Sequence, residues 1–221
     1  MLRKVLFASV LAAFVAAPAA AQTRVEAGAM FGWTFSDGVS GDAVLGGDGN
    51  LYDRVDPKDS FSWSLRFGVV TEGNVEFGFL YGRQESKMVI AGTNEREIGS
   101  FPVSNYHGYV GYNFGDVDAK VRPYLFFGLG ATSYSQVDFI SANGVPRSTS
   151  SETQFSTTFG TGIKAFFNPH VGLQTGVRWT PTYIKSDPGG YWCDPYWGCY
   201  LVGSAQYSNQ FEFSAGLVFK F

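Results

Sequence analysis

His107 and Ser104 are the residues in this chain whose types could act as base and nucleophile. That chemistry needs the two side chains within hydrogen-bond reach and an acid beyond them to orient the ring. No convincing trio assembles from the sequence, so His107 is expected to be a polar residue of the interior. Cys193 and Cys199 flank Asp194-Pro195-Tyr196-Trp197-Gly198. In an exported chain this spacing favours a disulfide that closes a short loop. A metal would need further Cys or His ligands nearby, and both histidines, His107 and His170, lie in other segments. The aspartates Asp37, Asp42, Asp48, Asp53, Asp56 and Asp59 stand among glycines, but their spacing fits neither an EF-hand nor a glycine-rich calcium repeat. A solvated acidic loop is the expectation there. Gly160-Thr161-Gly162-Ile163-Lys164-Ala165 has the form of a dinucleotide fingerprint, yet Pro169 follows at once and no helix can form. These glycines are therefore expected in a strand, and neither a metal nor a cofactor is expected.

The elements that must position these residues begin after an export signal. Arg3 and Lys4 form its basic region, Val5 to Ala17 its apolar core, and Ala19-Ala20-Ala21 before Gln22 its cleavage site. The apolar core is shorter than the roughly 20 residues a membrane-spanning helix needs. Residues 1–21 are thus expected to leave, and residues 22–221 to form one domain. Twenty-eight glycines and 17% aromatic residues argue against a helical bundle. The formal charge of −3 offers no basic stripe to track phosphates, which disfavours a nucleic-acid partner.

From Thr23 onward apolar residues fall on one parity for a run, a polar stretch intervenes, and the alternation resumes. Eight such runs occur. They are marked by Val25 to Phe35, Phe61 to Val69, Val75 to Tyr81, Tyr106 to Phe114, Leu125 to Ala131, Phe155 to Phe167, Val171 to Tyr183 and Phe211 to Phe221. Each reads as a strand with one apolar and one polar face. The facing of the fifth run is ambiguous, because Tyr124 and Phe126 interrupt its polar parity. Long and short connections alternate, with Glu72-Gly73-Asn74 and Asn168-Pro169-His170 as tight turns, as they do in outer-membrane barrels. An even strand number puts both termini on the periplasmic side. The fold expected is all-β: an eight-stranded antiparallel up-and-down transmembrane β-barrel with four mobile external loops and short periplasmic turns.

The apolar parity carries no charge, as hydrocarbon demands, since Lys or Arg at mid-depth costs about 2–4 kcal/mol. Trp33, Trp63 and Trp179 fall toward one rim and Phe114, Phe167, Phe219 and Phe221 toward the other, matching the aromatic girdles of a bilayer. A soluble lipocalin-like barrel with the apolar parity inside is the rival arrangement. The opposite parity holds Arg24, Glu26, Arg66, Glu76, Lys164, Arg178 and Glu212, together with His107, Gln154, Gln174, Lys220 and many glycines. An eight-stranded barrel is just wide enough for side chains to fill, so these are expected to pair into a charged plug rather than line an open pore.

On the signal peptide, the Arg122-Pro123-Tyr124-Leu125-Phe126-Phe127-Gly128-Leu129-Gly130 stretch and the final aromatic alternation, the chain resembles the small outer-membrane barrels of the OmpA-transmembrane, OmpX and OmpW type. The resemblance spans residues 23–221 and implies the outer membrane of a Gram-negative bacterium. It implies that Phe213, Leu217, Phe219 and Phe221 form a recognition signal for the barrel-assembly machinery, and that outer-membrane lipid and lipopolysaccharide surround the protein. The group includes structural anchors, adhesins, minor solute conduits and interaction proteins, and some eight-stranded members modify lipid A with His and Ser. Tyr191, Trp192, Tyr196, Trp197 and Tyr200 sit in the last external loop. Exposed aromatics of this kind mark a surface for an extracellular partner, or else fold over the barrel mouth or touch lipopolysaccharide. The expected role is structural or adhesin-like, through the loops. A conduit for small solutes is the alternative, and a lipid A-modifying enzyme a more distant one.

Overall fold

The computed structural model describes residues 23–45, 50–116, 118–140, 146–148, 150–184, 193–194, 198–199 and 206–221. Eight long strands make its frame: β1 (Arg24–Ser36), β2 (Ser60–Val70), β3 (Val75–Gln84), β4 (Val103–Asn113), β5 (Val121–Tyr134), β6 (Glu152–Phe166), β7 (Val171–Ile184) and β8 (Gln206–Lys220). Each pairs antiparallel with its sequence neighbours, and β8 returns to β1, so the sheet closes on itself and leaves no edge within the barrel. At the seam Glu26 lies opposite Lys220 and Ser36 opposite Gln210. The short-turn end is tightly made. Asn74 closes the β2–β3 turn at φ 62°, a left-handed conformation that asparagine tolerates, and its amide donates to the Thr71 carbonyl at 3.0 Å.

The apolar parity points out. Phe31, Phe67 and Phe213 remain 60%, 56% and 54% exposed, which no barrel with an apolar interior would allow. Aromatic neighbours run across adjacent strands on this outer face, from Phe127 through Phe159 and Trp179 to Phe211. The ambiguous fifth strand is settled by its partners. Leu125, Phe127 and Leu129 face outward, while Tyr124 and Phe126 are buried inside. Gly160 and Gly162 on β6 make the room: a Cβ at Gly160 would run into the Phe126 ring, and one at Gly162 would stand 2.6 Å from the Tyr124 hydroxyl. The apparent dinucleotide fingerprint is thus a stretch of strand whose glycines accommodate inward aromatic rings.

The long-loop end departs from the expectation of mobile loops. Val39–Leu45, Leu51–Pro57, Lys87–Gly92 and Arg96–Ser100 form a four-stranded sheet in that order, built from the β1–β2 and β3–β4 connections. These segments extend the barrel wall. The ladder continues across their junctions, with the Lys58 amide on the Lys87 carbonyl and the Phe101 amide on the Ser86 carbonyl, each at 2.8 Å. Val55, Met88 and Phe101 of this extension pack against Val103, Tyr134 and Ile184 of the barrel ends. Two loops alone could not bury enough apolar surface to stay folded, but joined to each other and to the rim they can. Lys58 and Lys87 both pair with Glu97, which ties the two connections together. Of the acidic residues read as solvated, Asp59 accepts from the Ser36 amide at 2.9 Å and Asp56 pairs with Arg54 at 2.7 Å.

Candidate functional site

The inward parity of eight strands brings the charged residues together in the half of the barrel nearer the short turns. Arg122 and Lys164 are direct cross-strand neighbours on β5 and β6. Two like charges side by side are destabilising unless shared anions stand between them. Glu26, reaching across from β1, supplies one: its Oε1 is 3.0 Å from Arg122 Nη1 and its Oε2 is 2.5 Å from Lys164 Nζ. Glu76 on β3 supplies the other, accepting from Lys164 at 2.7 Å, from the Tyr109 hydroxyl at 2.6 Å and from Asn113 at 3.0 Å. Arg66 joins Glu76 at 3.1 Å and donates from Nε to Tyr109. Its guanidinium carbon lies 4.4 Å from the centre of the Tyr109 ring and 4.7 Å from those of Tyr124 and Phe126. Arg66, Glu76, Arg122 and Lys164 are at most 4% exposed. The layer spans the barrel from wall to wall, with three cations against two carboxylates.

The remaining predicted charges stand apart from this layer. Arg178 and Glu212 are cross-strand neighbours on β7 and β8, joined at 2.6 Å nearer the long loops. Arg24 lies at the short-turn rim and pairs with exposed Asp118 at 2.7 Å, and Lys220 approaches the same carboxylate at 3.8 Å. The Arg24 hydrogen bond holds the Asp118 carboxyl below its ordinary value. The inward charges expected to pair in the lumen fall into a deep layer, a separate pair and a rim contact. Parity reasoning missed Arg122, Asn113, Tyr109, Tyr124 and Phe126 as members of the deep layer. The available signal was the even-numbered register that Arg122 shares with Tyr124 and Phe126, obscured because two of the three are aromatic.

Above the deep layer the interior is polar and mostly uncharged. His107 Nε2 is 2.9 Å from Ser156 Oγ, and Thr132 lies 2.9 Å from Ser156 and 2.7 Å from Asn105. Asn105 donates to Gln210, which donates to Gln84, at 3.0 and 2.9 Å, so amides and hydroxyls bridge the interior from β6 to β3. The His107 partner is thus Ser156 rather than the sequence neighbour Ser104. The other ring nitrogen, Nδ1, makes no hydrogen bond among the described residues. His107 is fully buried and faces the lumen rather than the lipid, and among the described residues no carboxylate hydrogen-bonds its ring to orient it as a base.

Backbone pairing sets Cys193 directly opposite Cys199 in a short ladder. Their side chains, and Tyr191, Trp192, Tyr196, Trp197 and Tyr200 altogether, lie outside the described residues, as does the expected export signal. Phe213, Leu217, Phe219 and Phe221 form the outward face of β8 down to the short-turn rim.

A family model described as outer membrane protein beta-barrel domain matches residues 5–221. No curated protein sequence matches the chain. Among solved structures, the outer membrane protein OprG from Pseudomonas aeruginosa is similar at 14% identity and a TM-score of 0.63, covering 90% of this chain and 95% of that one. Neisserial surface protein A is 20% identical with a TM-score of 0.50, over 90% of this chain and 97% of its own. The outer membrane protein AlkL is 14% identical with a TM-score of 0.51, over 93% of each chain. Identities this low speak to the fold alone.

Proposed function

The chain belongs to the outer membrane protein β-barrel domain family, and on that premise we propose that it is a surface-exposed structural and interaction protein acting through its long-loop end. The observation that carries this reading is the contrast between the two ends of the interior and the wall. The lumen is crossed by a buried, interlocked charge layer, whereas the first two loops are built into a folded sheet that prolongs the barrel. A protein made for passage would keep its interior open, and one made for contact would give its projecting surface a fixed shape. The long-loop end then faces the medium, with both termini in the periplasm, as the family's pattern of long external loops and short turns has it. The export signal at residues 1–21 and the assembly role of Phe213, Leu217, Phe219 and Phe221 belong to the same reading. So does a Cys193–Cys199 bridge that stiffens the fourth loop beneath Tyr191, Trp192, Tyr196, Trp197 and Tyr200, whose rings would meet an extracellular partner or lipopolysaccharide.

The test is adhesion of intact cells displaying the wild type, a Trp192→Ala/Trp197→Ala variant, or a variant with residues 39–57 shortened to a tight turn. Loss of adhesion with normal assembly supports the reading, and unchanged adhesion in both variants refutes it. Conductance in planar bilayers addresses the conduit. Silence in the wild type, Arg66→Ala and Glu76→Ala removes it, while steady wild-type current would displace the adhesive reading. Lipid A mass spectrometry with and without the protein should show no gained or lost acyl chain.

A further inference from the structure

Along the inner face of β2 the sequence runs Ser60, Ser62, Ser64, and all three hydroxyls are buried without a hydrogen-bond partner among the described residues. Ser62 and Ser64 are each 1% exposed. Across the lumen Arg178 gives Nη2 to Glu212 at 2.6 Å, and its Nη1 has no hydrogen-bond partner among the described residues. The two groups converge. A Cβ built on Gly82 would lie 2.6 Å from Arg178 Nη2 and 3.0 Å from Nη1, and Gly82 is the direct register partner of Ser64. Cβ positions of such a pair stand about 4.5–5.5 Å apart, so the unpaired edge of the guanidinium and the Ser64 hydroxyl share one part of the lumen. Buried donors are nearly always satisfied in folded proteins, and a cluster left open needs an occupant.

We propose that this part of the lumen binds one monovalent anion of halide size, held by the hydroxyls of Ser62 and Ser64 and by Arg178 Nη1. Two observations select an anion over a neutral molecule, and a third sets its size. One of the unpartnered groups is a charged guanidinium edge and the others are hydroxyls free to donate. The deep layer below holds three cations against two carboxylates, while Arg178 and Glu212 balance each other, so these two sets together carry one positive charge in excess. A buried charge left without its counter-charge is strongly disfavoured. Size follows from the barrel. An eight-stranded interior is filled largely by its own side chains, which favours a single-atom anion over a carboxylate or phosphate.

The experiment uses bromide as the probe on the full, folded barrel. Crystals grown in sodium bromide should give an anomalous peak within hydrogen-bond distance of Arg178 Nη1 and of Ser62 or Ser64 Oγ. In detergent solution chloride NMR should show saturable line broadening that bromide displaces. Ser62→Ala/Ser64→Ala, which leaves every ion pair intact, should weaken that broadening at least tenfold while keeping heat-modifiable migration. Arg178→Met/Glu212→Met, which removes the donor without stranding its carboxylate, should abolish it. Ordered water at the site with no anomalous signal, or broadening unchanged in both variants, overturns the proposal.

Discussion

Glu76→Gln is the sharpest perturbation of the interior, because one carboxylate accepts from Lys164, Tyr109 and Asn113 and pairs with Arg66. Glutamine has nearly the same shape, so the change isolates charge and acceptor capacity. Its amide nitrogen must face either the Lys164 and Asn113 donors or the Tyr109 and Arg66 donors, putting donor against donor on one side. The layer would also pass from three cations against two carboxylates to three against one. Removing one partner of a buried ion pair typically costs about 3–5 kcal/mol, because the other charge stays buried. Glu76→Gln should fall in that range in urea unfolding of the refolded barrel, followed by tryptophan fluorescence and heat-modifiable migration. Adding Arg66→Met should recover a large part of the loss, since a flexible apolar side chain suits the enclosure of Tyr109, Tyr124 and Phe126. Asp118→Asn is the control: its carboxylate is exposed, and the unfolding midpoint should not move. A Glu76→Gln midpoint equal to wild type, or a double variant no better than the single, would refute the account of the deep layer as a mutually dependent set.

Other outcomes follow from the walls and the loops. Leu129→Arg places a cation on the outward face near the middle of β5 and should lower folding stability in lipid vesicles by about 2–4 kcal/mol; a normal yield and midpoint would contradict a lipid-facing surface there. Gly78→Val drives a side chain into Tyr109, whose hydroxyl would lie 2.5 Å from the new Cβ, and should cost about 1–3 kcal/mol by overpacking, read in the same unfolding assay. Hydrogen bonds from Lys58 and Lys87 hold the Glu97 carboxyl down to about 2 from an ordinary 4.5. Because the folded value is depressed, its contribution is complete above 4.5 and is lost as the pH falls toward 2. Hydrogen-exchange protection of Lys87–Gly92 and Arg96–Ser100 should therefore weaken selectively in that interval, and concentrated salt should weaken it at neutral pH; protection constant across both conditions would separate the sheet from its ion pairs. Purified protein should resist thiol alkylation at Cys193 and Cys199 until reduced, and immediate labelling of both would remove the bridge.

Strand number, antiparallel order and the facing of most side chains were readable from the residues alone, because strand periodicity is local and hydrocarbon tolerates no charge on the outer face. Phe31, Phe67 and Phe213 outside and Arg66, Glu76 and Lys164 inside required only their parity. What parity could not supply was depth, since a two-residue repeat states which side a residue faces but not its height around a closed and staggered wall. Only the register put Arg178 beside Glu212 and away from the Lys164 layer, and left Arg24 at the rim with Asp118. The partner of His107 was hidden for the same reason, since Ser156 is distant in sequence and is brought level with it only by register, on either side of Gly130 of β5. The first two loops were misread as mobile because neither carries a core of its own; their order comes from Val55, Met88 and Phe101 meeting Tyr134 and Ile184 of the rim. Local patterning fixes what each strand can do singly, and closure of the barrel decides which of those possibilities are brought into contact.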